Sequence, residues 1–132
     1  MDIIGNLLKI AEDIEPIKSA RIAAAVVIKN KIISYGTNSM NSHPFQSKYG
    51  KNSHAVFWHA ETNAIFNALK RISINDFTKA TLYVVRVKLD GHKGKFVTGL
   101  AHPCDGCMKC IQKFKVKKIM YSTESGMVHT TV

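Results

Sequence analysis

His59-Ala60-Glu61, followed by Pro103-Cys104-Asp105-Gly106-Cys107, is the pair of segments on which the reading of this chain turns. The first offers an imidazole and a carboxylate two residues apart. The second offers two thiols three residues apart, behind a proline suited to the first turn of a helix. Cysteines at i and i+3 of a helical turn lie about 5–6 Å apart at Cβ, so both can reach one metal at a Zn–S distance of about 2.3 Å. With His59 they form a Cys₂His set that leaves one tetrahedral position open, the mark of a catalytic rather than a structural zinc. Glu61 stands about 200° around a regular helix from His59, so the two can share a metal site only near a helix entrance. There a carboxylate could accept the proton of a metal-activated water, whose pKa falls to about 7.

Other readings of the same residues stay open at this point. His102, Cys104, Cys107 and Cys110 could close a local structural zinc site without His59. Cys104-x-x-Cys107-x-x-Cys110 also has the spacing that opens an iron–sulfur run, although only three cysteines are present and such clusters usually take four. A redox C-x-x-C is a third possibility. None of these accounts for the His-Ala-Glu.

The pattern H-x-E…P-C-x-x-C resembles the signature of the zinc-dependent cytidine/deoxycytidylate deaminase superfamily. The resemblance implies one Zn²⁺ per chain held by His59, Cys104 and Cys107. Glu61 would be the catalytic proton shuttle, and zinc-activated hydroxide would add to C4 of a cytosine nucleotide or nucleoside, with dCMP to dUMP as the best guess. It also implies substrate contacts. Tyr35-Gly36-Thr37-Asn38 resembles the Gly-x-Asn of deoxycytidylate deaminases, which places Asn38 at the sugar; an amide can donate and accept there. A loop asparagine bonding its own backbone is the ordinary alternative. Ala60 would read the base carbonyl through its backbone N–H, and the His102 carbonyl would accept from the exocyclic amine. Tyr121 would stand beside the base, although a strand tyrosine commonly just packs. Core packing is likewise the better reading of Phe57 and Trp58, given the surface such rings bury, and of Cys110. His43, His54, His92 and His129 have no partner legible in the sequence.

Composition agrees with a compact enzyme. The 132 residues read as one domain, 1–132, long enough to bury about two-thirds of the unfolded surface. With 45% hydrophobic and 21% charged residues, disorder is not expected. No apolar run approaches the ~20 residues of a membrane span, and three cysteines make no disulfide framework, so a reducing, cytoplasmic setting is expected. The formal net charge is +10, and nine of the nineteen basic residues lie from Arg86 to Lys118 against two acids, Asp90 and Asp105. That field attracts phosphate. It equally suits a solubilising lysine surface. Few arginines and no aromatic ladder favour a free nucleotide over RNA or single-stranded DNA, with a polynucleotide deaminase and a non-catalytic zinc-stabilised nucleic-acid-binding module as the alternatives.

Periodicity places these motifs on elements. Ile3, Ile4, Leu7, Leu8, Ala11 and Ile14 recur at helical spacing before Pro16. Ile22–Ile28 and Ile32–Gly36 form a hairpin about Lys29-Asn30-Lys31, its first strand buried on both faces. Thr37–Asn52 reads as a loop able to cover a pocket. A helix from about His54 or later to Arg71 follows, then a strand Thr81–Lys88, a glycine-rich loop Leu89–Gly99, a helix Pro103–Lys115 and strands Lys118–Ser122 and Met127–Val132. The order resembles the three-layer α/β/α cytidine-deaminase-like fold, with a five-stranded mixed sheet and the two motif helices side by side. Too few residues separate the last two strands for a parallel crossover, so the last strand should be antiparallel. Free-nucleoside cytidine deaminases share that arrangement, whereas deoxycytidylate and polynucleotide deaminases insert a helix there. The family resemblance further implies a homo-oligomer.

Overall fold

The protein is described by a computed structural model over residues 2–14, 21–49, 57–90 and 94–132. Helix α1 (Ile3–Asp13) starts at Asp2, whose carboxylate accepts from the Gly5 N–H, and buries Leu7 and Ala11. Pro16, expected to end the run, lies outside the described residues. Strands β1 (Arg21–Ile28) and β2 (Lys31–Thr37) pair antiparallel. Lys29 and Asn30 both adopt left-handed φ values, 51° and 62°, the two-residue turn whose twist matches that of the flanking strands.

β1 is also antiparallel to β3 (Thr81–Asp90). The free edge of β3 is shared. Its first half, Thr81–Val84, runs parallel to β5 (Lys118–Thr123), and its second half, Arg86–Asp90, pairs antiparallel with β4 (Lys95–Gly99). β6 (Gly126–Thr131) closes the order β2-β1-β3-β5-β6 and is antiparallel to β5, as the short connection requires. The Ser122 side chain fills the fork between β4 and β5: its hydroxyl donates to the Gly99 carbonyl and accepts from the Arg86 N–H.

Strand alternation divides the interior into two layers. Ala23, Ala25, Val27, Val85 and Val87 face α1. Ala24, Val26, Leu82, Val84 and Ile119 face the other way, into the cluster that holds Ala60, Ala64, Ile65, Ala68, Cys110 and Ile111. Those residues belong to α3 (Ala60–Ala68) and α4 (Asp105–Lys113), which share that face. Small residues set how close α3 comes. Ala60, Ala64 and Ala68 form a buried stripe at four-residue spacing, and it lies directly on Gly36 of β2. A Cβ built at Gly36 would stand 2.8 Å from Ala64 Cα and nearer still to the Ala64 nitrogen and Ala60 oxygen. Ser34 Oγ donates to the Ala64 carbonyl (2.7 Å), and Asn63 Oδ1 accepts from Thr37 N–H (3.1 Å), so hydrogen bonds lock the same contact.

The sheet has six strands, not five. Leu89–Gly99 was expected as a loop because Gly91, Gly94 and Gly99 dominate its composition. Instead Leu89 and Asp90 continue β3, and Phe96-Val97-Thr98 have the β-forming side chains that carry β4. Gly94, at φ 64°, takes the turn conformation. Within Thr37–Asn52 the described part contains a short helix, α2 (Pro44–Ser47), and a 3₁₀ turn at Ile74–Lys79 precedes β3. α3 begins at Ala60 rather than nearer His54, which is outside the described residues. α4 begins at Asp105, so Pro103 sits one residue before the N-cap instead of in the first turn.

Candidate active site

His59 is the N-cap of α3 and Cys104 the N-cap of α4, both with extended backbone: φ −91°, ψ 152° and φ −71°, ψ 170°. This resolves the two-residue spacing of His59 and Glu61. The imidazole lies outside the regular helix while Glu61 is in its first turn, so the 200° separation does not apply. Cys107 is three residues into α4 and buried; Cys104 is exposed. Two helix N-termini therefore meet at one point, each presenting the positive end of its dipole, a setting that favours thiolates.

The three ligand atoms converge. His59 Nδ1 is 3.3 Å from Cys107 Sγ and 3.6 Å from Cys104 Sγ, and all three atoms lie within 4.8 Å of one another. Tetrahedral zinc with Zn–N about 2.0 Å and Zn–S about 2.3 Å separates its nitrogen and sulfur ligands by about 3.6 Å. The donor set and its spacing fit one such ion. Among the described residues this is the one His/Cys/Asp/Glu group so arranged. The local alternative built on His102 and Cys110 is not formed. The His102 ring is edge-on to Tyr121 at 5.0 Å, and Cys110 is fully buried in the α3/α4 core.

Proton affinities follow from the same packing. The neighbouring Cys107 and the His59 ring, both hydrogen-bonded to it, hold the Cys104 thiol down to about 3. Cys107 is pushed well above the ordinary thiol range, first by the Cys104 sulfur beside it and then by burial. Metals take cysteine as thiolate, so a bound cation would hold both sulfurs deprotonated. The hydrogen bond to Cys104 raises His59. Glu61 is 6% exposed, and burial raises its carboxyl while His59 partly offsets the shift. Cys110 is raised to about 12 by desolvation.

Gln46 anchors the imidazole's backbone and was not legible in the sequence. Its side chain is 2% exposed; Oε1 accepts from the His59 N–H at 3.0 Å and from the Thr62 hydroxyl. A polar residue in a polar loop gives no signal that it is buried. Asn63, which ties α3 to β2, was missed because a half-buried asparagine on a helix gives no sign of a bond to a distant strand. Trp58 packs as expected, stacked on His43 (4.8 Å) and tilted against Phe45 and Phe66. His43, unpartnered in the sequence reading, also accepts from Phe45 N–H through Nδ1. Phe57 departs from expectation: it is 42% exposed, bridged to Ser42 by backbone pairing.

The remaining expected residues surround the same end of the sheet. Ala60, at the first position of α3, is fully buried above Gly36. Asn38 continues the β2–β1 ladder, its N–H donating to Ile22 O (3.3 Å) and its Oδ1 accepting from Ile22 N–H (3.0 Å). The asparagine thus bonds the neighbouring strand. Tyr121 packs against the α3/α4 core beside His102.

The cytidine and deoxycytidylate deaminase zinc-binding region matches residues 2–123. The chain belongs to that family. It is accordingly a zinc-dependent deaminase of the cytidine/deoxycytidylate class, with a His/Cys/Cys group positioned to hold one metal ion. Two solved structures of the dCMP deaminase from the cyanophage S-TIM5 share its fold. The apo form has TM-score 0.58 and 22% identity, covering 92% of this chain and 80% of that one. The form in complex with dCMP and dUMP has TM-score 0.52 and 21% identity, covering 92% and 81%. No curated protein matches the chain by sequence. Among the described residues no helix is long and apolar enough to cross a membrane.

Proposed function

We propose that this deaminase acts on a free cytosine nucleotide, converting dCMP to dUMP, with His59, Cys104 and Cys107 as the zinc ligands and Glu61 as the proton carrier. The observation that carries the reading is the buried Glu61 carboxyl beside three converging ligand atoms. When bound, zinc supplies a Lewis acid that brings deprotonation of a water within reach of neutral pH. Glu61 takes that proton, in a site where burial favours the neutral acid, and delivers it to N3 of the base; it then takes the proton of the oxygen added at C4 and passes it to the exocyclic nitrogen, which leaves as ammonia. The Ala60 N–H, one of the first-turn donors a helix leaves unpaired, orients the base carbonyl. The His102 carbonyl accepts from the exocyclic amine, Tyr121 flanks the base, and Asn38 stands at the sugar. The dCMP deaminase likeness supports this substrate class. Self-association belongs to the same proposal, closed homo-oligomers being the usual assembly, and a fully active monomer in ultracentrifugation would exclude it.

The test is ammonia release from cytidine, deoxycytidine, CMP, dCMP, adenosine and short oligonucleotides across a salt series. Turnover of dCMP with weak salt dependence is expected. Activity confined to oligonucleotides, with affinity falling at a slope near −0.7 per phosphate contacted, would make the protein a polynucleotide deaminase. Zinc present without turnover of any of these substrates would favour the non-catalytic module.

A further inference from the structure

Two arginines, Arg21 and Arg86, have buried Nε atoms with no hydrogen-bond partner among the described residues. Arg21 is accounted for. It lies on the α1 face with its guanidinium 5.0 Å from the Phe96 ring centroid, so the ring receives the cation. Arg86 has no aromatic ring beneath it and no carboxylate at ion-pair distance among the described residues.

Strand register locates Arg86. Gly36, Ala24, Val84 and Tyr121 are paired in one row across β2, β1, β3 and β5. Ala24, Val84 and Tyr121 face the α3/α4 core, and the α3 entrance sits on Gly36. Two residues further along each strand, on the same face, lies the next row: Asn38, Ile22, Arg86 and Gly99. The rows are about 7 Å apart. The Arg86 stem passes beside Gly99, where a Cβ would meet Arg86 Cδ and Cγ at ordinary contact distances of 3.6 and 3.7 Å. Arg86 is therefore one row beyond the metal ligands' end of the sheet, between Asn38 and the β4–β5 fork. A nucleotide with its base at His59, Cys104 and Cys107 extends its sugar and then its phosphate away from the metal.

We infer that Arg86 is the anion-reading residue of the pocket, pairing its guanidinium with the phosphate of a cytosine mononucleotide and so selecting nucleotide over nucleoside. The inference rests on the proposed deaminase reading and names its substrate class. A guanidinium is suited to the task because its rigid fork matches phosphate oxygens bidentately, which a lysine cannot do.

The experiment compares wild type with Arg86→Gln and Arg86→Lys. Binding of dCMP, deoxycytidine and inorganic phosphate is measured by calorimetry, beside turnover, zinc content and Tm. Arg86→Gln should weaken dCMP by about 10- to 100-fold, the worth of hydrogen bonds to a charged group, and abolish phosphate binding while leaving deoxycytidine and zinc unchanged. Arg86→Lys should recover part of the dCMP affinity. Equal losses for dCMP and deoxycytidine, or undiminished dCMP binding by Arg86→Gln, would overturn the inference, as would wild type binding neither dCMP nor phosphate. If Arg86→Gln does not fold, full dCMP affinity in Arg86→Lys, or equal losses there, overturns it, and a selective dCMP loss there supports it. Failure of the deaminase reading looks different: dCMP binds in an Arg86-dependent manner but wild type does not turn it over.

Discussion

Gly36→Ala tests whether the contact of α3 on β2 sets the metal geometry. The added methyl would lie 2.8 Å from Ala64 Cα, with the Ala64 nitrogen and Ala60 oxygen closer. All three are backbone atoms of α3, so no rotamer change can relieve the clash and the helix must lift. Overpacking typically costs about 1–3 kcal/mol where side chains can yield; with backbone alone to move, the upper end, about 3 kcal/mol, is expected. For a chain of this length each kcal/mol is roughly 3–5 °C in Tm, which gives a fall of about 10 °C. Lifting α3 also strains the Ser34–Ala64 and Thr37–Asn63 hydrogen bonds and carries His59 away from the two sulfurs on α4, so zinc should fall below one per chain. Gly99→Ala is the matched control. Its Cβ would meet flexible atoms of Arg86 and Lys88 at 3.6 Å or more, and stability should change by about 0.5 kcal/mol or less. Calorimetry and metal analysis read both variants. A Gly36→Ala protein with Tm within about 2 °C of wild type and full zinc would refute the reasoning.

Metal analysis should find one zinc per chain, lost in His59→Ala and kept in Cys110→Ser; the reverse would discard the His59/Cys104/Cys107 set. Glu61→Gln should keep zinc while turnover falls at least about 10²-fold, and near-normal turnover would remove Glu61 from the chemistry. In metal-free protein the same variant should be more stable than wild type at neutral pH. Burial raises the folded Glu61 pKa, so wild type loses stability as pH rises through the unfolded value towards the folded one, and below the unfolded value the two should converge. Urea titrations at several pH values check the sign. Thiol labelling of the metal-free protein at pH 8 should modify Cys104 fast and Cys110 slowly, since Cys104 is exposed and held near 3 while Cys110 is buried and raised to about 12. Equal rates would contradict the packing around α4.

The residues of the His/Cys/Cys group were legible in the chain because metal ligation demands particular side chains at restricted spacings. His59, Cys104 and Cys107 carry that signal without any structure. The short link between β5 and β6 likewise compelled an antiparallel pair, since chain reach alone decides it. Composition misled at Leu89–Gly99, where a high glycine content masked a strand that forms because the second half of β3 has a free edge. Tertiary structure alone decided the rest. That His59 and Cys104 are caps rather than helix residues depends on where each helix starts, a matter of one or two residues that local propensity does not resolve. Gln46, Asn63 and Arg86 are common polar types whose meaning lies in long-range placement: a side chain buried against the start of α3, a bond from helix to strand, and an arginine whose backbone neighbours come from β1, β4 and β5. Side-chain identity can announce a metal site from two short motifs; the contacts that surround it exist only when distant strands come into register.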